Sequence, residues 1–404
     1  MKQVACLLIL RRRAQRRRQL AMLAYMAYHY AAYLLKSPKR VSALTGAMWV
    51  EEMLVGNADA FIEMFRMPRP SFIALLEELM RNGDLKATRA VTCQEQLCLF
   101  LYFVGHKPSN TNMQQRFQHS GETISRHLRR VVASLLAIAP RHIFLPPSNG
   151  PTPVQIATNS KLSPYFDDCR MAIDGTHVPV WVKAGESAPY HGRKGVTMNV
   201  LAACDFDLHF TYVLAGWEGS AGDGRVYTDA LLRGLVLSPT KFDILDAGFA
   251  LTKKCLTPYR STRYHLKEYG QGRLKPQTKE ELFNLRHAQL RNCIERIFGI
   301  LKMRFPVLSC GVRYDYSFQV SLVMALCVVH NFIRRWGVRQ DRFEQDADIL
   351  RRQQQQEAVS DQNDPADHVE DADSDEAKLW RDSIAGTMWV NYQNLLNERR
   401  RRLS

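Results

Sequence analysis

Three acidic residues stand in unlike settings along this chain. Asp174 lies in Met171-Ala-Ile-Asp-Gly-Thr-His177, Asp246 in Phe242-Asp-Ile-Leu-Asp-Ala-Gly-Phe249, and Glu295 in the arginine-rich stretch Arg291-Asn-Cys-Ile-Glu-Arg-Ile-Phe-Gly-Ile-Leu-Lys-Met-Arg-Phe305. The first two follow short apolar runs and lead into a glycine, as at the end of a buried strand. The third belongs to a long helical pattern. A lone strand-end Asp is as often a turn residue. Carboxylates brought from separate elements, however, can converge on hard divalent cations, which prefer oxygen ligands. Two such ions about 4 Å apart clamp the attacking and leaving oxygens of a phosphoryl transfer. The chemistry expected is cutting or joining of nucleic acid.

These acids need a scaffold, and the periodicity supplies one. Residues 60–140 read as helical. Pro68 and Pro70 bracket a start that Ser71 can cap, and a second helix spans about Thr92 to Val104. A short helix from Asn112 to Phe117, a turn at His119-Ser-Gly121 and a longer helix to Leu136 follow. That last helix has Ile124, Leu128, Val131, Val132 and Leu135 on one face, with Arg126, Arg129 and Arg130 largely off it. The pattern suggests a helix-turn-helix with DNA-facing arginines; a plain helical bundle with a solvated basic face is the alternative. A Pro-rich linker at 141–165 ends it. Strand patterns then occupy Met171 to Val182, Asn199 to Asp205 and Phe210 to Trp217, with Phe206–His209 as a hairpin connection. A helix from Asp223 to Leu235, a buried strand from Phe242 to Leu245, and long helices from Lys279 to Arg304 and Ser317 to Trp336 complete the order. Strand, hairpin, helix, strand, helix is the order of an RNase H-like α/β domain with a mixed sheet flanked by helices.

The net charge of +15 and 55 Lys and Arg favour a polyanionic partner. Nine scattered cysteines without a CxxC pair suggest neither a zinc ribbon nor a disulfide framework. Cys169, Cys204 and Cys327 read as core residues. The run from Leu20 to Leu35 is short for a membrane span and is expected to form an amphipathic or buried helix. Arg11–Arg13, Arg16–Arg18 and Arg399–Arg402 suit nuclear import signals or DNA-contacting arms, and equally a solvated tail. From Asp341 a glutamine run and an acidic stretch predict a disordered segment, either a solubilising linker or a mimic of DNA on the basic surface. The expected division is a basic arm at 1–59, a helix-turn-helix domain at 60–140, a linker at 141–165 and a nuclease domain at 166–340. An acidic linker at 341–378 and a C-terminal helix with a basic tail at 379–404 follow.

Four segments, in order, resemble the DDE transposases of the PIF/Harbinger superfamily over roughly Met64 to Trp336. They are Ala172–His177; His191-Gly-Arg-Lys-Gly195 running into Asn199–Asp205; Gly216-Trp-Glu-Gly-Ser-Ala-Gly-Asp223; and Glu295–Phe305. The resemblance implies an RNase H-like fold and a catalytic triad of Asp174, Asp246 and Glu295 holding Mg²⁺, with Mn²⁺ as a substitute. Asp174 would be shared between two ions, Asp246 would bind one and Glu295 would complete the other. Asp223 matches a further acidic position in the family. The family often has His just before it where this chain has Gly222, and helix capping competes as a role. His177 is either a partly buried strand residue or a group near DNA. Arg193 and Lys194 would position phosphates. Arg296, Lys302 and Arg304 flank the third acid, some expected on a solvated face and others along the DNA backbone.

The function expected is metal-dependent cleavage and transfer of double-stranded DNA at terminal inverted repeats, in the nucleus. A homo-oligomer and a Myb-like accessory protein are implied by the resemblance, and no membrane association is expected. A domesticated descendant that binds DNA or chromatin without catalysis is the main alternative. An RNase H-like ribonuclease is a weaker one.

Overall fold

The computed structural model describes residues 2–36, 39–192, 195–260, 262, 275–337, 341–357 and 373–403. The first helix, α1 (Lys2–His29), runs into a π-helical turn at Tyr30–Leu34. Leu20, Leu23 and Tyr25 are more than half exposed, so of the two expectations for Leu20–Leu35, an amphipathic or a buried helix, the buried one does not hold. The apolar residues of α1 surround the axis instead of forming a stripe that could dock.

Six helices follow: α2 (Gly46–Val55), α3 (Ala58–Phe65), α4 (Arg69–Asn82), α5 (Cys93–His106), α6 (Asn110–Phe117) and α7 (Gly121–His142). Their starts are set by hydroxyl and amide caps that satisfy first-turn N–H groups. Thr45, Asn57, Thr92, Ser109 and Ser120 each accept from one or more of these N–H groups. Ser71 does not cap: α4 starts at Arg69 after Pro68, and Ser71 is buried inside it. Two prolines pre-set the backbone of the first turn without a side-chain cap. The predicted apolar face of α7 is buried as expected. Trp49 on α2 packs edge-on against Tyr102 and Phe117. The helix at Gly46–Val55, before the boundary expected at residue 60, thus packs within the same helical unit. The one-turn helix α8 (Val154–Ala157) interrupts the following linker.

The sheet contains β1 (Cys169–Pro179), β2 (His191–Gly192), β3 (Gly195–Cys204), β4 (Phe210–Glu218), β5 (Phe242–Ile244) and β6 (Cys255–Leu256). β3 lies antiparallel between β1 and β4; β5 and β6 extend the sheet in parallel from β1. β2 adds a short pairing at the start of β3. The β3–β4 hairpin turns on Asp205, whose carboxylate accepts the N–H groups of Asp207 and His209 at 3.0 and 2.8 Å. α9 (Asp223–Leu232) covers one face, and Met171, Ile173, Leu201 and Val226 form a small core there. α10 (Lys279–Arg304) and α11 (Tyr316–Arg335) cover the other. α11 is the described helix long and apolar enough to cross a membrane, and it is mostly buried within the protein. Cys169, Cys204 and Cys327 are core residues as expected.

Two further helices revise the expected tail. α12 (Arg342–Glu357) packs on α10 through buried Phe343 and Ala347, so disorder does not begin at residue 341. Two of its acids pair with arginines, Glu344 with Arg334 and Asp348 with Arg296, which helps it dock despite its polarity. The acidic stretch at 358–372 lies outside the described residues. α13 (Asp375–Leu403) also packs on α10. Trp380 meets Phe242 edge-on at 5.1 Å, and Arg381 lies over the Tyr259 ring at 3.9 Å. The described part of the expected C-terminal segment thus packs against the helix that covers the sheet.

Candidate active site

The sheet register sets the first two acids level. Ala172 pairs with Ile244 across the parallel β1–β5 pair, and Asp174 and Asp246 each lie two residues further on. Side chains two apart share a face. Ala172 and Ile244 belong to the core beneath α10, while Ile173 and Leu245 belong to the core beneath α9. The two carboxylates therefore open toward α10, which carries Glu295.

Arg291 ties the site together. It stands one helical turn before Glu295 and is itself buried. Its Nη1 donates to Asp174 Oδ2 at 2.6 Å, and its Nη2 donates to Glu295 Oε1. Asp174 Oδ1 accepts the Gly175 N–H at 2.8 Å, and Asp246 Oδ1 accepts the Gly248 N–H at 2.8 Å. Arg351 on α12 donates from Nη2 to the other Glu295 oxygen at 3.1 Å. Burial pushes the Asp174 carboxyl up to about 7, with Arg291 pulling it down and Asp246 and Glu295 pushing it up. Asp246 is raised for the same first reason, burial, and Asp223 and Glu295 add to it.

Asp223 joins this cluster instead of capping its helix. The N-cap of α9 is Gly222, with no side-chain cap. Asp223 Oδ1 accepts from Asn199 Nδ2 at 2.8 Å. It rests so close to Gly175 that a Cβ there would stand 2.5 Å from Oδ1. Asn199 is buried, and its own Oδ1 is without a hydrogen-bond partner among the described residues. Asp229, the neighbouring acid, instead pairs with Arg233 and accepts from Trp217 Nε1.

The four carboxylates are the oxygen donors that Mg²⁺ or Mn²⁺ requires. Among the described residues no three acids, histidines or cysteines close around one point at metal-ligand spacing. Arg291 supplies the positive charge between Asp174 and Glu295. The donor chemistry fits a divalent cation, which would compete with Arg291 for the Asp174 and Glu295 oxygens.

The predicted DNA-contacting cations fare unevenly. Arg126 is exposed on α7 and pairs with Glu122 at 2.6 Å. Arg129 is half exposed, pairs with Asp315 and lies over the Phe318 ring at 5.1 Å. Arg130 is half-buried on α7. Arg296 makes two 2.8 Å bonds to Asp348. Lys302 donates to Thr176 Oγ1 at 2.9 Å and to the His177 carbonyl at 3.0 Å, clamping β1 beside the acids. Arg304 is 1% exposed, bonded to Asp341 and to the Arg66 carbonyl, and so is a core residue and not a backbone contact. His177 is half-buried, its Nδ1 3.0 Å from Thr197 Oγ1. Arg193 and Lys194 lie outside the described residues.

Sequence reasoning missed Arg291, Asn199 and Arg351. Arg291 had a signal, its i,i+4 spacing from Glu295. Asn199 had its place in an apolar strand and at the start of one of the family-like segments, neither of which gave it a role. Arg351 had none, because it lies 56 residues beyond Glu295 in a stretch read as disordered.

Comparison with known proteins agrees with this geometry. Residues 173–331 match the family model described as DDE superfamily endonuclease. Residues 41–137 match a domain of unknown function (DUF8040). The chain is 25% identical over 264 residues to an Arabidopsis thaliana protein described as "Protein ALP1-like", covering 60% of this chain and 61% of that relative's length. No solved structure matches. The sheet with its acids is thus the domain of a DDE superfamily endonuclease. Outside that domain the likeness rests on the ALP1-like relative, of whose length this chain spans less than two thirds.

Proposed function

We propose that the protein is a divalent-metal-dependent endonuclease that cuts and transfers DNA strands, with Asp174, Asp246 and Glu295 as its catalytic acids and Asp223 as a further ligand. The observation that carries this is the level placement of Asp174 and Asp246 on adjacent strands, with Glu295 joined to Asp174 through one guanidinium. Bound Mg²⁺ or Mn²⁺ would activate an oxygen nucleophile and stabilise the leaving 3′ oxygen. The chain's own groups hold the acids in place. Lys302 fixes the strand that carries Asp174, Gly248 orients Asp246, and Asn199 orients Asp223. Arg291 balances the negative charge of Asp174 and Glu295.

The α6–turn–α7 unit would read duplex DNA at terminal repeats. The exposed Arg126 supports this, as does the His119–Glu95 bond of 2.8 Å that fixes the turn against α5. Pairing two DNA ends calls for a homo-oligomer, and a Myb-like partner belongs to the same proposal. The exposed arginines of α1 and the arginine run closing α13 would serve nuclear import.

A domesticated DNA-binding protein is the second reading. It is favoured by the guanidinium already seated between Asp174 and Glu295. The deciding experiment is nicking of plasmid DNA with Mg²⁺ or Mn²⁺, beside Asp174→Ala, Asp246→Ala and Glu295→Ala. Metal-dependent nicking lost in all three variants supports the enzyme. DNA binding without nicking, equal in all four proteins, supports the binder.

A further inference from the structure

A groove of about 800 Å³ runs between the helical unit and the sheet domain. One wall comes from α5, α6 and α7. The other comes from residues 311–315 and Trp181, just past the end of β1. Phe103, Met113, Ile124 and Leu128 give it apolar surface, and Lys107, Arg129 and Arg313 also line it. Asp315 is the acid in its lining, and Arg129 already binds it. Lys107 and Arg313 are exposed, and no acid among the described residues pairs with either.

Trp181 is 42% exposed, and no aromatic ring among the described residues lies against it. Its backbone is nonetheless held firmly. The Trp181 N–H donates to Gln319 Oε1 at 3.0 Å, and Gln319 Nε2 donates back to the Trp181 carbonyl at 2.7 Å. Gln319 is buried and also donates to the Tyr314 carbonyl. Gly311 packs so tightly beneath that a Cβ would stand 2.8 Å from the Val180 carbonyl carbon. A large indole presented to solvent on a fixed backbone, beside cations without acidic partners, is a stacking platform with phosphate anchors.

We propose that this groove binds an unpaired stretch of the DNA substrate, with a base stacked on Trp181 and flanking phosphates on Lys107 and Arg313. The proposal rests on the DNA reading given above and adds a strand site apart from the acids. Charge and continuity select a nucleic acid over an apolar peptide. The groove's excess charge is positive, and β1 links Trp181 to Asp174 over about 20 Å of extended chain. A base inside a duplex cannot offer its face to an indole, so the site selects unpaired strands.

The test uses the full chain in EDTA, which removes divalent metal, and the anisotropy of a labelled oligothymidylate of about ten nucleotides. A labelled duplex of the same length is measured beside it. Trp181→Ala is expected to weaken oligothymidylate binding about 5- to 150-fold and duplex binding less than about twofold; Trp181→Phe retains most of the affinity. Lys107→Ala and Arg313→Ala are each expected to lower the salt slope for the single strand by about 0.7. Thermal unfolding of both Trp181 variants confirms that the fold persists. Oligothymidylate affinity unchanged in Trp181→Ala, with duplex binding intact, overturns the groove and leaves the nuclease reading standing. Displacement by oligoglutamate as potent as by unlabelled oligothymidylate also overturns it, in favour of an acidic peptide. Binding of neither DNA form by the wild-type chain removes the groove and the DNA reading together.

Discussion

Asp243→Ala is expected to cost about 3–5 kcal/mol, because it strands a buried guanidinium. Asp243 lies on β5 and accepts from Arg170 on β1 through two bonds, Nε to Oδ1 at 2.9 Å and Nη2 to Oδ2 at 2.6 Å. Both side chains are at most 3% exposed. Arg170 Nη1 also donates to the Val236 carbonyl at 3.1 Å. Burial pushes the Asp243 carboxyl above its usual range despite Arg170, so desolvation outweighs the attraction between them. The pair therefore adds little net stability, yet removing one partner leaves a charge in the interior without its counter-ion. For a domain of this size the loss corresponds to a Tm lower by about 6–20 °C. Replacing both residues, Arg170→Met with Asp243→Leu, removes both buried charges and should return stability to within about 2 kcal/mol of wild type. Calorimetry and urea unfolding of the three proteins measure this. The pair also sits where β5 meets β1, just before the acids, so the single variant should lose metal-dependent nicking along with stability. A single variant within about 1 kcal/mol of wild type, or a double variant as unstable as the single one, would refute the reasoning.

In metal-free protein, Asp174 holds its proton to about pH 7, against 3.8 for the ordinary group. Its contribution to stability is full below about pH 4 and is lost as pH rises through 7. Asp174→Asn should flatten that decline and be the more stable protein at pH 8; equal slopes in the two proteins would contradict it. Gly175→Ala places a Cβ against Asp223 and should weaken Mn²⁺ binding about tenfold. Titration calorimetry showing wild-type affinity would remove Asp223 from the site. Burial pushes His287 down to about 3, and its Nε2 lies 3.1 Å from the Leu256 carbonyl. Stability from His287 is present above its unfolded value near 6.5 and is lost as pH falls toward 3. His287→Gln should therefore reduce the acid-side slope of Tm against pH.

Much of the sheet domain was legible from periodicity. Alternation located β1, β3 and β4, and the 3.6-residue pattern placed α10 at Lys279–Arg304. Local signals suffice where each element buries a face of its own, because the pattern of apolar residues is then written into the segment. The turn before α7 was similarly visible, from its glycine and the apolar stripe that follows. Charged residues were harder. Arg304 and Arg296 look like solvated helix residues in sequence, yet one is enclosed by Asp341 and the other by Asp348. A charge shows only its sign in the chain; its partner is chosen by packing.

By itself the sequence determined the acids, their order and the strands and helix that carry them. Chain chemistry fixes those, since apolar alternation and helical spacing are local properties. Tertiary structure alone decided that β5 lies beside β1, so that Asp246 stands level with Asp174. It also decided that Arg291 seats between Asp174 and Glu295, and that Arg351 on α12 returns to Glu295 from a segment that looked disordered. The reason is physical. Strand neighbours and ion-pair partners far apart in the chain are set by burying the sheet's faces and neutralising the charges enclosed with them, and neither leaves a mark on local sequence.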